Sequence, residues 1–160
     1  KLCGETLMES FAAAYDIDCV SLRYFNVYGP GEEHKGKMAS VAYQAHSAGN
    51  FMLFPNNAKR DFVYIEDVVE ATIYPIFNEV SKGIYEVGSG KARSFEDVLN
   101  LMEIPYEYRD EKEIPDGYQF FTEASKSSFM EGWKPKYNLD MMTATMIEKL
   151  KEYYNLKTKI

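Results

Sequence analysis

Cysteine and histidine are nearly absent from this 160-residue chain: each occurs twice, and Cys3 and Cys19 do not form a CxxC pair. So few sulfurs exclude a disulfide framework, and no Cys/His spacing fits a structural zinc site. A reducing, cytoplasmic setting is the expectation. Long hydrophobic runs are also missing. No apolar stretch approaches the roughly 20 residues needed to cross a bilayer, and no charged-then-apolar leader opens the chain, so no membrane partner is expected. Basic residues are outnumbered, 18 against 25 acidic, for a formal charge of -7. That balance argues against a nucleic-acid partner, although a local basic cluster around an anionic ligand stays open. A complete GxGxxG phosphate loop is lacking too: Gly88-Ser89-Gly90 begins one, but Arg93 stands where the third glycine belongs. That segment reads as a strand-to-loop turn.

What is present is an α/β pattern. A hydrophobic content of 46% in a chain of this size suffices for one sizeable core, since about 150 residues bury roughly two-thirds of their unfolded surface. Cys3, Leu7, Phe11 and Ala14 recur at helical spacing, predicting a helix over 1–15 with no capping residue ahead of it. That abrupt opening is expected of a piece of a longer protein. A β-rich run over 19–25 then ends in the breaker cluster Asn26-Val27-Tyr28-Gly29-Pro30-Gly31, read as a loop. Helix is predicted from Met38 to Ala48, strand over 51–54, turn over 55–57 and strand over 60–64. Helix follows over 65–80, with Val68, Val69, Thr72, Ile73, Ile76, Phe77 and Val80 as a stripe facing a core. Pro75 should kink or break it. Strand over 83–87 leads to a capping box at Ser94 and Asp97 that opens a helix to Met102. Beyond it come a strand and exposed loop over 105–116, a short strand over 118–121, a weak helix over 124–131 and a final helix over 140–154. The alternation defines an α/β chain with parallel strands.

Three stretches carry chemistry. Arg23 to Pro30 ends a strand in a polar turn, where open α/β sheets bind ligands; Asn26 is either a ligand contact there or a turn residue bonding backbone. Lys35 and Lys37, beside His34, precede the helix predicted at Met38. They are either anion contacts at a helix start or solvated loop lysines. Arg60 offers a planar fork suited to phosphate, or else pairs with Asp61 or Glu66. His46 reads as an ordinary helix residue.

Taken together, Arg23 to Pro30 and Arg60 to Val68 resemble the signature segments in the carboxyl half of extended short-chain dehydrogenase/reductases, the NAD(P)-dependent family that epimerises or dehydrates nucleotide sugars. His34-Lys35-Gly36-x-Met38-Ala39-Ser40-Val41 and Tyr118-Gln119-x-Phe121-Thr122 are more selective and resemble the ADP-heptose 6-epimerase branch. The likeness covers nearly the whole chain, loosening over 104–116 and after Ser125.

The resemblance implies the carboxyl-terminal end of a Rossmann domain (residues 1–25) plus a small α/β substrate-binding domain (mainly 26–160, with some segments returning to the Rossmann sheet). Lys1 matches the lysine of the family's Tyr-x-x-x-Lys motif, so the catalytic tyrosine and the glycine-rich turn would lie upstream of this sequence. The implied reaction oxidises a sugar carbon to a ketone and re-reduces it on the other face, using NADP or NAD held mainly by the other half. This chain alone is then expected to be inactive. Lys35 matches a second acid/base, which burial beside other cations such as Lys37 would tune. Asn26, Arg60 and Tyr118 match substrate contacts, Phe54 lies in the nucleotide-binding stretch, and Lys1, Val27 and Lys35 match cofactor contacts. Lys37 and Gln44 stand where the family has other substrate-contacting residues, a small hydroxyl and a histidine. A homo-oligomer is expected, and the implied product is a lipopolysaccharide core precursor. Two alternatives remain at this point: an epimerase or dehydratase of UDP-, GDP- or dTDP-sugars, and a non-catalytic nucleotide-sugar-binding module or truncated reading frame.

Overall fold

The computed structural model describes residues 1–55, 57–139 and 152–153. In chain order they form α1 (Leu2–Tyr15), β1 (Val20–Tyr24), β2 (Asn26–Tyr28), a 3-10 segment (Glu33–Met38), α2 (Val41–Ala48), β3 (Phe51–Leu53) and β4 (Lys59–Tyr64). These are followed by α3 (Ile65–Phe77), β5 (Gly83–Val87), β6 (Ala92–Ser94), α4 (Phe95–Leu101), β7 (Tyr106–Tyr108) and short 3-10 turns at Glu111–Glu113 and Lys126–Ser128. The helix predicted over 140–154 lies outside the described residues, apart from Glu152 and Tyr153.

Strand pairing is mostly parallel, which requires crossovers rather than hairpins and so accounts for the alternation with helices. β1 lies parallel to β5, β2 to β4 and β3 to β7, while β6 runs antiparallel to the first half of β4. The chain changes sheets at one residue. Phe25 still donates its N–H to the Val87 carbonyl at 3.0 Å, whereas Asn26 already sits opposite Phe62. Asn26 and Val27 therefore belong to a strand, not to the predicted loop. A turn beginning at Asn26 is the wrong reading because the breakers act only from Gly29 onward.

Other expectations need correction. α2 starts at Val41 and not at Met38, because the Ser40 hydroxyl caps it by accepting from Tyr43 N–H; Met38 is 86% exposed. Pro75 lies inside α3, which continues only to Phe77 and so stops short of the predicted end at residue 80; its ring removes the N–H that would donate to the Ala71 carbonyl. The predicted strand over 118–121 is a single parallel bridge, Phe121 to Lys59, and the weak helix over 124–131 shrinks to the turn at Lys126–Ser128.

The core lies around β2 and β4. On one side Tyr28, Phe62 and Tyr64 pack with Ala42, Val98 and Met102 from α2 and α4. On the other, Val63 and Val87 pack with Val68, Ala71, Met130 and Trp133. The two amphipathic stripes read at 1–15 and 65–80 are only partly used. Ala12 alone is buried on α1, leaving Leu2, Leu7, Phe11 and Tyr15 exposed. Val68 and Ala71 face inward on α3 while Val69, Ile73, Ile76 and Phe77 face out.

Candidate functional site

Phe54 and Arg109 immediately follow the carboxyl ends of the parallel pair β3 and β7, the end at which α/β sheets take ligands. Between them opens a cavity of about 390 Å³ whose walls include Val41, Phe51, Phe54, Phe95, Glu96 and Tyr118. Its chemistry is mostly aromatic. Tyr118 meets Phe54 edge-on at 5.4 Å. The Arg60 guanidinium lies 5.4 Å from the Tyr118 ring and 5.6 Å from the Phe95 ring, and the Arg109 guanidinium lies 5.7 Å from the Phe54 ring. Cations over aromatic faces are held by the ring quadrupole without being neutralised. Arg60 is buried, and it donates to the Lys59 carbonyl at 2.9 Å and to the Gln119 carbonyl. Its pairing with Asp61 or Glu66, the alternative left open by spacing, is not what forms. The structure thus brings Tyr118 and Phe54 into the cavity wall and sets Arg60 against the Tyr118 and Phe95 rings, while the arginine in the wall itself is Arg109.

A second group forms around Glu32, which the sequence did not single out. This buried carboxylate accepts from Ser40 N–H at 2.6 Å, Ser40 Oγ at 2.7 Å and Gly29 N–H at 3.3 Å, closing the 29–40 segment on itself. Gly29 has φ of 139°, and a Cβ there would fall 2.5 Å from Ile65 Cγ2, so no other residue fits. Lys35 reaches Glu32 with Nζ 3.7 Å from Oε2 and keeps about a third of its side chain exposed. Gln44 donates its side-chain amide to the Ala39 carbonyl at 2.7 Å and the Lys37 carbonyl at 3.3 Å. Gln44 is thereby joined to the Lys37 backbone, and Lys35 to Glu32. Lys35 is not buried beside Lys37: Lys37 is exposed, and the charge facing Lys35 is a carboxylate. Nor do the lysines stand at the start of α2. Glu32, an internal anion, already accepts the Ser40 N–H there.

Asn26 is exposed and Val27 half-buried on β2, and Lys1 is exposed at the head of α1. Burial, with smaller contributions from Tyr64 and Asp67, pushes the neighbouring Tyr28 phenol far above its usual range, which keeps it a neutral core group. The turn Gly88-Ser89-Gly90 closes on Asp61. Asp61 Oδ1 accepts from Ser89 N–H at 2.6 Å and Ser89 Oγ at 2.7 Å, and Oδ2 from Gly90 N–H at 2.8 Å and Ala124 N–H at 3.0 Å. Amides already committed to a carboxylate do not fit a dinucleotide pyrophosphate, so this glycine turn is no cofactor cradle.

Parallel strand pairs, helical crossovers and a cavity at the carboxyl ends of two strands define an α/β chain of the Rossmann type. It belongs to the NAD dependent epimerase/dehydratase family, whose sequence profile matches residues 1–88. Among relatives, an ADP-L-glycero-D-manno-heptose-6-epimerase of Fusobacterium nucleatum is 35% identical over an alignment covering 69% of this chain and 41% of that protein. The crystal structure of the Helicobacter pylori ADP-L-glycero-D-manno-heptose-6-epimerase superimposes with a TM-score of 0.69 at 30% identity, covering 92% of this chain and 48% of that one. A Methanobrevibacter ruminantium UDP-N-acetylglucosamine 4-epimerase, solved with UDP-N-acetylmuramic acid, shares the fold with a TM-score of 0.75 at 23% identity, covering 96% and 51%. The chain thus spans about half the length of the relatives it matches.

Proposed function

We propose that this chain is the substrate-binding, carboxyl-terminal part of a nucleotide-sugar epimerase acting on ADP-glycero-manno-heptose, with residues 1–25 contributing to a Rossmann domain and 26–160 mainly to the substrate domain. The observation that carries the reading is the cavity at β3 and β7, where Tyr118 and Phe54 offer flat apolar surface, Arg109 stands in the wall and the Arg60 guanidinium lies against the Tyr118 ring. That combination suits a nucleoside joined to a diphosphate. Two relatives that act on an ADP-heptose, at 35% and 30% identity, support the choice of sugar nucleotide.

In this reading Lys35 holds and exchanges a proton at the reacting sugar carbon or its oxygen, while Asn26, Lys37 and Gln44 orient the sugar. Gln44 acts partly through the backbone, because its amide grips the Lys37 and Ala39 carbonyls. NAD or NADP, bound mainly outside this chain, supplies hydride chemistry. Lys1, Val27 and Lys35 would face it. The product would be a lipopolysaccharide core precursor.

Arg60→Lys tests the cavity, since it keeps the charge and removes the planar fork. Calorimetric titration of the protein with ADP-heptose should show binding weakened at least about tenfold. An unchanged affinity would take Arg60 out of substrate recognition.

The protein is further proposed to be a homo-oligomer. Leu7, Met8, Phe11 and Tyr15 expose an apolar face on α1, a surface of the kind soluble proteins cover by association. Sedimentation velocity at high protein concentration should reveal a dimer or larger species. A single monomeric boundary there would count against it.

A further inference from the structure

We propose that Glu96 reads the nucleobase: its carboxylate accepts a hydrogen bond from an exocyclic amine, so that the cavity takes adenine in preference to uracil or thymine. The inference rests on the nucleotide-binding reading above and goes beyond it, because neither the signature motifs nor the glycine pattern involves Glu96.

Glu96 stands in the first turn of α4, directly after Phe95. It is the acidic member of the described cavity wall, set among Val41, Phe51, Leu53, Phe54 and Tyr118. One of its oxygens, Oε1, accepts from the Tyr108 hydroxyl at 3.3 Å. The other, Oε2, is buried with no partner. Its neighbour Asp97 shows the contrast, with Arg93, Ser94 N–H and the capping box all satisfied. An unpaired carboxylate oxygen away from water is costly, and native structures rarely keep one without a use. Glu96 lines the cavity, and rotation between the staggered wells of its χ1 and χ2 would turn the carboxylate toward it with the backbone in place.

The chemistry of the bases then decides. Aromatic walls accept the flat faces of any base, so discrimination falls to the polar edge. Adenine offers a 6-amino group with two N–H donors and no carbonyl beside it. Uracil and thymine offer a carbonyl at the corresponding position, which a carboxylate repels, and their one N–H lies between two carbonyls. Guanine is best read by two carboxylate oxygens at once, and Tyr108 already engages one of these. A ribose hydroxyl is the other donor a nucleotide presents, but it would show no dependence on the base.

Calorimetric dissociation constants for ADP, CDP, GDP and UDP, measured on the unaltered protein and on Glu96→Leu, test the assignment. The unaltered protein should bind ADP at least about tenfold tighter than UDP, the scale of one hydrogen bond to a charged group. Glu96→Leu should lose about tenfold for ADP and leave UDP unchanged or tighter. As a check independent of the variant's folding, N6,N6-dimethyl-ADP, which lacks the donor, should bind the unaltered protein about tenfold more weakly than ADP. Equal losses for ADP and UDP would assign the carboxylate to ribose or to structure and overturn the proposal. Nucleotide binding without base preference would overturn it while leaving the cavity as a nucleotide site. Absence of any nucleotide binding would remove both.

Discussion

Lys35→Ala is expected to lower turnover of the active protein by roughly 100-fold or more, with a smaller effect on substrate affinity, the scale on which a positioned acid/base is lost. The geometry supplies a competing account that must be separated from this one. Lys35 lies against Glu32, and Glu32 ties Gly29 to Ser40, so the rival role for the lysine is to steady the segment. A partly exposed ion pair of this kind contributes about 1 kcal/mol at most. Lys35→Arg distinguishes the two. It keeps a cation for Glu32 but cannot give up its proton, so a proton-transfer role predicts that turnover stays low, and a steadying role predicts recovery. Lys37→Ala should act mainly on KM, since the side chain is exposed and only its carbonyl is gripped by Gln44. Steady-state kinetics of the three variants decide it: full turnover in Lys35→Ala would remove Lys35 from the chemistry.

Asp61→Ala should destabilise the fold by about 3 kcal/mol or more, because three backbone N–H groups and a hydroxyl lose their shared acceptor inside the protein. Asp61 is fully buried, and its two oxygens join the turn after β5 to the start of the 124–130 segment. Gly88 makes room for this arrangement. A Cβ there would come within 2.8 Å of Asp61 Oδ2 and 2.5 Å of the Ala124 Cβ. Asp61→Asn should recover only part of the loss, since one oxygen is replaced by an amide that would face donors. A domain of this size has a total stability of only about 5–15 kcal/mol, so the shift is large in urea unfolding monitored by tryptophan fluorescence. Loss below about 1 kcal/mol would mean that the donors find other acceptors and that the latch is dispensable.

What was legible in the sequence and what was not divides along sequence distance. The capping box at Ser94 and Asp97 and the helices over 65–77 and 2–15 follow from residues within one or two turns of each other, and they form where spacing put them. The start of α2 is equally local, since Ser40 is a capping residue, and the expected start at Met38 lies three residues ahead of the one that forms. Glu32 and Asp61 were not readable. A carboxylate between charged neighbours looks like a surface group, and the partners that make Asp61 internal lie at Ser89, Gly90 and Ala124, beyond any local pattern. Glu96 is similar: its place on a helix start was predicted, but the cavity beside it is assembled from β3, β7 and the 118 region. Arg60 was suggested by its residue type, Tyr118 and Phe54 only by the family resemblance, and the fold brings Tyr118 within ring-contact distance of both.

The single-residue passage at Phe25 has a consequence for how this region tolerates change in length. Connecting segments usually absorb an added or deleted residue at little cost, because they lie outside the hydrogen-bonded ladders. Here no slack exists: Tyr24 is in register with Val87 on one side and Asn26 with Phe62 on the other. One residue more or fewer would shift β2 along β4 by a single position and turn each of its side chains to the opposite face. Tyr28 would be driven toward the cluster around Val63 and Val87, and the smaller Val27 would be left facing Phe62 and Tyr64. The stretch from Arg23 to Tyr28 is polar enough to be mistaken for a variable loop, yet its length is as constrained as that of a strand in the middle of a sheet.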